Sequence, residues 1–394
     1  MVNNIAIVGA GPAGASLAIR LATDGFDVTL AERESFPRHK LCGEFISPEC
    51  LGHFASLGVL DVMTSAGGDR IRETRFFSPS GRSVSVPSEW LGFENALSLS
   101  RSEMDLQLMQ RAKEAGVRVI ENANVNELLR CADGSVVGVC GRLDGGETFS
   151  VEADVTVDAT GRASLLTRML AKTDGNPRSG NPDKPAFVGF KAHLRNARIG
   201  RGCCEIYFFN GGYAGLSNVE NGVANLCFLV DARIVRKFKS NVSDIVENVV
   251  SSNVRAKAAL AFAIPVGEWL AVSIGGFGRK DLNPANGLFA IGDSAAFIDP
   301  FTGSGMLLAL ESSEVLADAI GEHRSRPDLI AEIFSREYAA RFGSRLRAAS
   351  LLRRAAFIPA FASSAILLAG CSTKMTKLLA RLTRQKASQA LGGH

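Results

Sequence analysis

The chain has 394 residues, 46% of them hydrophobic, with 44 Lys and Arg against 40 Asp and Glu. That length allows two or three domains, or one nucleotide-binding domain with insertions, and large buried cores. Eight cysteines without a C-x-x-C pair and five histidines without ligand spacing argue against a metal site, and the cysteines read as reduced intracellular thiols. The adjacent pair Cys203-Cys204 reads as strand packing. The charge is uneven: ten Lys or Arg and no acid lie from Tyr338 onward, leaving 34 basic and 40 acidic residues in the remainder. Such an end can meet nucleic acid, an anionic membrane or the protein's own acidic surface. Without interleaved aromatics or any nucleic-acid motif, nucleic acid is the weakest of the three. The start runs directly into the apolar stretch 5–8 with no basic start or cleavage site, so a cytoplasmic chain is expected, with membrane association through the basic end left open.

In chain order, residues 3–8 form an apolar strand, 13–23 have helical composition and 28–31 are the next strand, a β-α-β unit within about 30 residues. Residues 72–86 alternate around Ser-Pro-Ser-Gly and read as a hairpin. A helix is expected over 102–115, a strand over 117–120 and one buried strand over 151–157. The Gly-, Asn- and Pro-rich stretch 174–185 marks a boundary. Residues 186–276 read mostly as strands with one helix near 243–251. A short strand over 288–291 and a helix over 303–320 follow, and the rest is helical and basic. No 20–50-residue repeat and no low-complexity tract occurs.

Gly9-Ala10-Gly11-Pro12-Ala13-Gly14 is a G-x-G-x-x-G segment set between strand and helix. The first glycine permits the tight turn, the second lets backbone approach a pyrophosphate, and the third lets helix and strand pack closely. The helix N-terminus then offers N–H groups and a favourable dipole to the anion. Glu32, at the end of the second strand, suits a ribose hydroxyl and would repel a 2′-phosphate. This fingerprint serves NAD and FAD alike. Two further strand-end segments bear on the choice: Asp158-Ala159-Thr160-Gly161-Arg162-Ala163-Ser164, and Ile291-Gly292-Asp293-Ser294-Ala295-Ala296 running through Asp299-Pro300 to Gly303-Ser304-Gly305-Met306.

With these three motifs in this order, residues 1 to about 325 resemble the p-hydroxybenzoate-hydroxylase-like flavoprotein superfamily. The resemblance implies an α/β fold: a Rossmann-type FAD-binding domain with an inserted β-rich substrate domain, followed by a helical C-terminal extension. The implied division gives 1–72, 98–180 and 277–325 to the FAD-binding domain. It gives 73–97 (a hairpin) and 181–276 to the substrate domain, and 326–394 to the basic extension. Lys40-Leu41-Cys42-Gly43-Glu44 resembles the Cys-Gly segment of geranylgeranyl reductases, which implies that Cys42 and Gly43 lie against the cofactor. Those reductases often carry further glycines where Glu44-Phe45 stands. Ser100-Arg101-Ser102-Glu103-Met104-Asp105 matches the family segment whose arginine reaches the cofactor, so Arg101 is expected near the FAD pyrophosphate, or as a solvated helix-start cation. The resemblance also implies a backbone contact from Val125 to the adenine, and cofactor contacts from Arg33, Gly161, Gly292, Asp293, Pro300, Gly303, Ser304, Gly305 and Met306.

Aromatic hydroxylases of this fold usually carry Gly-Asp-Ala-Ala-His and a later Gly-Gln-Gly; here Ala296-Phe297 and Gly303-Ser304-Gly305 stand instead. Flavin-dependent halogenases resemble the 297–300 segment, yet their W-x-W-x-I-P motif is absent and no lysine lies between Lys40 and Lys113. The expected activity is therefore FAD-dependent reduction of a hydrophobic isoprenoid- or polyketide-like molecule by hydride transfer. Hydroxylation, halogenation or mere electron transfer to a quinone or protein partner are the alternatives. Cys42 or Glu44 is the candidate proton donor; otherwise Cys42 only packs on the flavin and Glu44 pairs with Arg38 or Lys40. The aromatics Phe187, Phe190, Phe208, Phe209, Phe228, Phe262 and Trp269 either line an apolar pocket or form ordinary sheet core. Without a second G-x-G-x-x-G, electrons are expected from transiently docked NAD(P)H or from a partner flavin reductase. The uncharged run 355–369, broken by Pro359, is too short to span a membrane and is expected to cap the protein or touch a membrane surface.

Overall fold

The computed structural model describes residues 1–91, 95–173, 186–275, 277–298 and 303–356, with residues 344 and 347–356 described by backbone alone. A five-stranded parallel sheet runs in the order Leu288–Ala290, Val155–Asp158, Asn4–Val8, Asp27–Ala31, Arg118–Ile120. Its central strands are apolar and buried because helices cover one face, while an antiparallel sheet and the helix Leu165–Thr173 cover the other. The Pro12–Thr23 helix starts at Pro12, where the missing N–H costs nothing. It packs against Gly305–Glu322 closely enough for Ser16 Oγ and Ser313 Oγ to sit 2.6 Å apart. A three-stranded antiparallel sheet (Ala123–Arg130, Val136–Leu143, Thr148–Glu152) flanks this layer.

The stretch expected as one strand over 151–157 is two. Thr148–Glu152 belongs to the antiparallel sheet and Val155–Asp158 to the parallel one. Between them the Asp154 carboxylate accepts the Asn3 and Asn4 N–H groups at 2.8 and 2.9 Å, tying the turn to the first strand.

A seven-stranded sheet forms the second layer, in the order Ile264–Ile274, Phe187–Arg195, Ala224–Asp231, Gly212–Asn218, Cys203–Phe209, Glu73–Phe77, Ser83–Pro87. The last two are the hairpin expected from residues 72–86. The pleat sends alternate side chains to opposite faces. Phe190, Ala192 and Leu194 join Phe77, Tyr207, Phe209 and Phe228 in a core on one face. Phe208, Tyr213, Leu229, Phe187 and Phe76 cluster on the other with Phe297, which comes from the parallel-sheet side.

Three helices cover the first face, not the single one expected: Ala232–Lys237, Val242–Asn248 and Val254–Leu260. Each begins with a side-chain cap, from Asp231, Asn241 and Asn253 respectively, and that local signal was present in the sequence. Asn253 does more than cap, since its Nδ2 also donates to the Phe77, Ser78 and Phe208 carbonyls at 3.2, 3.0 and 3.0 Å. Asn253→Ala is expected to lower stability by roughly 2–4 kcal/mol, the loss of a cap together with carbonyls left unsatisfied. A urea-unfolding midpoint equal to wild type would contradict this.

The basic helix Pro327–Ala356 packs on Gly305–Glu322. Part of its charge meets the protein's own acids: Arg341 reaches Glu314 at 2.6 Å, and Arg345 pairs with Glu311. Residues 357–394, which hold most of the uncharged run, lie outside the described residues, as does Pro300. Among the described residues no helix is long and apolar enough to cross a membrane.

Candidate active site

The glycine-rich turn takes its shape from close contacts. Gly9 has φ +99°, and a Cβ there would come within 2.4 Å of the Ala159 carbonyl oxygen. A Cβ on Gly14 would stand 1.9 Å from the Gly9 carbonyl oxygen. Among the described residues the only neighbour a Cβ on Gly11 would have is the Arg101 guanidinium at 3.7 Å, so this glycine leaves open space in front of the helix start at Pro12 and Ala13. The two kinds of glycine should separate in experiment. Gly14→Ala is expected to destabilise the fold itself, whereas Gly11→Ala should fold with near wild-type stability and bind its nucleotide poorly. Thermal denaturation and bound-flavin content would read the difference, and loss of folding in both variants would refute the distinction.

Arg101 opens the helix Arg101–Glu114 and is held by Asp105 one turn on, Nε and Nη2 each donating at 2.8 Å. Asp105 is fully buried and also accepts from Arg38 Nη1 at 2.9 Å. Burial works against the Arg101 charge, yet Asp105 and the nearby Cys42 raise its pKa on balance. A fixed cation therefore faces the open space at Gly11. Glu32 is buried at the end of Asp27–Ala31, where it accepts from the Ala10 N–H at 2.8 Å and the Glu34 N–H at 3.1 Å, with Arg38 at 3.4 Å. Arg33 next to it is exposed and paired with Glu34 at 3.0 Å. Val125 is buried in Ala123–Arg130, where the ladder shifts register between Cys140 and Gly141.

The two later motifs converge on this turn. Asp158 is buried and holds the second motif through Thr160, Thr167 and Ser294 Oγ, the last at 3.0 Å. Gly161 and Gly292 take φ +73° and +57°, and a Cβ on Gly292 would press on Ala13 at 2.9 Å. Lys280, which sequence reasoning passed over, bridges the segments by donating to the Arg162 carbonyl, Ser164 Oγ and the Asp293 carbonyl at 3.3, 2.7 and 3.2 Å. Among the described residues no donor reaches the Asp293 carboxylate. Burial raises its pKa against the opposing pull of Arg162, Lys280 and Arg101. Gly303, Ser304, Gly305 and Met306 lie at and just before the start of Gly305–Glu322.

The Cys42 loop bridges the two layers. The Glu44 N–H reaches Cys42 Sγ at 3.4 Å, Asn225 Nδ2 donates to the Cys42 carbonyl at 3.1 Å, and among the described residues no atom lies where a Cβ on Gly43 would point. Glu44 sits in the left-handed region at φ +54°, a conformation glycine adopts readily and other residues uncommonly. Its fully buried carboxylate pairs with Lys191 Nζ, meets His193 Nε2 at 2.7 Å and accepts the Arg101 N–H at 2.8 Å. Its partners are thus Lys191 and His193, not Arg38 or Lys40, which pair elsewhere with Asp105, Glu32 and Glu34. Burial pushes the Glu44 pKa up, but His193 and Lys191 outweigh it and hold the carboxyl below its usual range. Glu44 is therefore ionised near neutral pH, and the expectation that it serves as the acid gives way for this electrostatic reason. Lys191 and His193 were invisible in the sequence because they are two positions of one strand, 147 and 149 residues from the glutamate.

The expected aromatic set divides. Phe190, Phe209, Phe228 and Trp269 pack under the helices on the far face, and Phe262 is 59% exposed beneath Arg198. Only Phe187 and Phe208 lie on the face toward the parallel sheet, with Phe76, Tyr213, Phe277 and Phe297. Phe277 and Phe297 stack at 5.0 Å and 12°.

An open glycine cradle beside a fixed arginine, a ribose-type acid and a carboxylate without a donor among the described residues fit a dinucleotide, and the comparisons with known proteins agree. A family model described as "FAD binding domain" matches residues 3–327. The digeranylgeranylglycerophospholipid reductase of Methanosarcina acetivorans is 27% identical over 86% of this chain and 80% of that protein. The menaquinone reductase of Mycolicibacterium smegmatis is 24% identical over 85% of this chain and 82% of that protein. The structure of a flavin-dependent brominase matches with a TM-score of 0.78 and 19% identity over 96% of this chain and 92% of that one, a likeness of fold. With the matching model spanning most of its length, this chain belongs to the FAD-binding-domain family and is an FAD-dependent oxidoreductase.

Proposed function

We propose that the protein reduces carbon–carbon double bonds of a hydrophobic, isoprenoid-like molecule. The observation that carries this reading is the sheet face opposite the nucleotide turn. It offers aromatic rings (Phe76, Phe208, Tyr213, Phe277, Phe297) for an apolar chain, and a polar corner (Lys191, His193, Asn225) beside the Cys42 loop. Two relatives named as reductases of isoprenoid-bearing molecules support it.

In this reading Gly9, Gly11, Pro12, Ala13 and Gly14 shape the pyrophosphate cradle and Arg101 neutralises its charge. Glu32 takes the ribose hydroxyls, with Arg33 at the rim, and the Val125 backbone meets the adenine. Asp293, with Gly161 and Gly292, receives the ribityl or pyrophosphate portion. Gly303 to Met306 and the Cys42-Gly43 loop border the ring, as would Pro300. When bound, FAD supplies the hydride; the protein supplies position, exclusion of water and the proton. Electrons come from transiently docked NAD(P)H or a partner flavin reductase. We place the protein in the cytoplasm, with the basic C-terminal stretch as the segment that would touch an anionic membrane.

The test is incubation of the reduced FAD protein with geranylgeraniol and with menaquinone, read by mass spectrometry. Gain of two hydrogens supports reduction. Gain of oxygen would make it a monooxygenase and gain of halogen a halogenase. Flavin oxidation by the quinone, with geranylgeraniol left unchanged, would make it an electron carrier.

A further inference from the structure

We propose that Lys191 delivers the proton of the reduction and is reloaded from solvent through Glu44 and His193, an inference that rests on the reductase reading above. Along Phe187–Arg195 the even-numbered side chains enter the helix-covered core, whereas Lys191 and His193 face the Cys42 loop. Lys191 is 2% exposed. Its ammonium carries three N–H donors. One meets Glu44 and one the Lys40 carbonyl at 3.2 Å; the third has no acceptor among the described residues. Beside it, fully buried Asn225 is the cross-strand partner of His193, and its Oδ1 meets no donor among the described residues although its Nδ2 holds the Cys42 carbonyl. A buried donor and a buried acceptor thus stand open at one corner of the substrate-facing sheet, next to the loop expected against the cofactor. Buried polar groups are seldom left without partners, so this corner is built to meet something else.

The cluster also connects to water. His193 keeps 13% of its side chain exposed and meets Glu44 Oε2 at 2.7 Å, while the exposed His39 ring lies edge-on to it at 5.6 Å. Glu44 therefore has one oxygen toward a partly exposed imidazole and the other toward a buried ammonium. The titratable groups facing the cluster from other elements are Cys42, Cys227, Arg162 and Glu220. Burial pushes the Cys227 thiol up to about 12, so it stays protonated.

When bound and reduced, FAD would supply a hydride, with its electron pair, to one alkene carbon. The other accepts a proton from Lys191 Nζ, whose bonding pair remains on nitrogen. The neutral Lys191 amine is then reloaded by a single proton: His193, when protonated, gives its Nε2 proton to Glu44 Oε2, the carboxyl turns so that the same proton meets Lys191 Nζ and is taken there, and His193 regains a proton from solvent. One hydride and one solvent proton are consumed for each double bond.

The experiment uses full-length FAD protein, reduced anaerobically with dithionite and mixed with geranylgeraniol while flavin reoxidation is followed. Lys191→Arg keeps the positive charge and its pairing with Glu44, but a guanidinium does not give up its proton. It is expected to bind FAD normally and to reoxidise roughly 100- to 10,000-fold more slowly, the usual share of a general acid. His193→Gln should slow reoxidation less, and its loss should be largest at high pH, where protons are scarce. Independently of turnover, the carboxyl carbon NMR titration of Glu44 in oxidised protein should move upward in Lys191→Met, since the ammonium that helps hold the carboxyl low is gone. Reoxidation of Lys191→Arg at the wild-type rate, or a Glu44 titration indifferent to Lys191, would overturn the relay. Wild-type protein that geranylgeraniol does not reoxidise would sink the reductase reading, and the relay with it. If Lys191→Met fails to fold, Lys191→Arg still decides.

Discussion

Asp293→Ala is expected to weaken FAD binding roughly 5- to 150-fold, the factor that corresponds to about 1–3 kcal/mol for a lost buried hydrogen bond. The wild-type protein should purify yellow, and acid should release FAD identifiable by chromatography. The reason lies in the surroundings of this carboxylate. Lys280 takes the Asp293 carbonyl, not its side chain, and among the described residues nothing donates to the carboxylate itself. Burial raises its pKa, so the site holds an acid at some cost without a partner among the described residues, as expected of a group whose donor is the ligand. Asp299→Ala, two residues beyond the short strand Ala296–Phe297 in sequence, should leave flavin content close to wild type. Equal flavin retention by the two variants, or recovery of NAD instead of FAD, would remove Asp293 from the cofactor site.

The nucleotide-binding part of the site was legible because it is local. Strand, glycine turn, helix and acid follow one another within residues 4–32, and each glycine answers a steric demand that reading the motif supplies. The Asp158 and Asp293 segments were legible for the same reason, each being a strand end with its own turn. The polar corner was not. It joins a loop at Glu44 to the middle of a strand at Lys191 and His193, and no periodicity in either segment indicates the other. The division of the phenylalanines failed similarly. Composition counts rings, but the pleat decides which face each occupies, and adjacent Phe208 and Phe209 end in different cores. The helices after Asp231, Asn241 and Asn253 were within reach, since their caps are short-range signals that the alternating apolar pattern around them outweighed.

Glu44→Gln is the substitution expected to disturb the protein most at the junction of its two layers. The glutamine keeps the left-handed backbone at φ +54° but cannot balance Lys191, which is 2% exposed and would retain an unpaired buried charge. Breaking a buried ion pair from one side costs about 3–5 kcal/mol, so the unfolding midpoint in urea at neutral pH should fall accordingly. The pH dependence gives a second, independent signature. In the folded protein the Glu44 carboxyl lies below its ordinary value of 4.5: burial opposes the charge, and His193 and Lys191 more than restore it. A depressed carboxylate stabilises the fold fully above its unfolded pKa, and that contribution is lost as pH falls toward the lower folded value. Wild-type protein should therefore lose stability on acidification below about pH 4.5 more steeply than Glu44→Gln, which has no proton to take up there. The two stability curves should converge toward acid. Parallel curves from neutral to about pH 3, or equal stability at neutral pH, would show that the Glu44 charge does not hold the loop to the sheet.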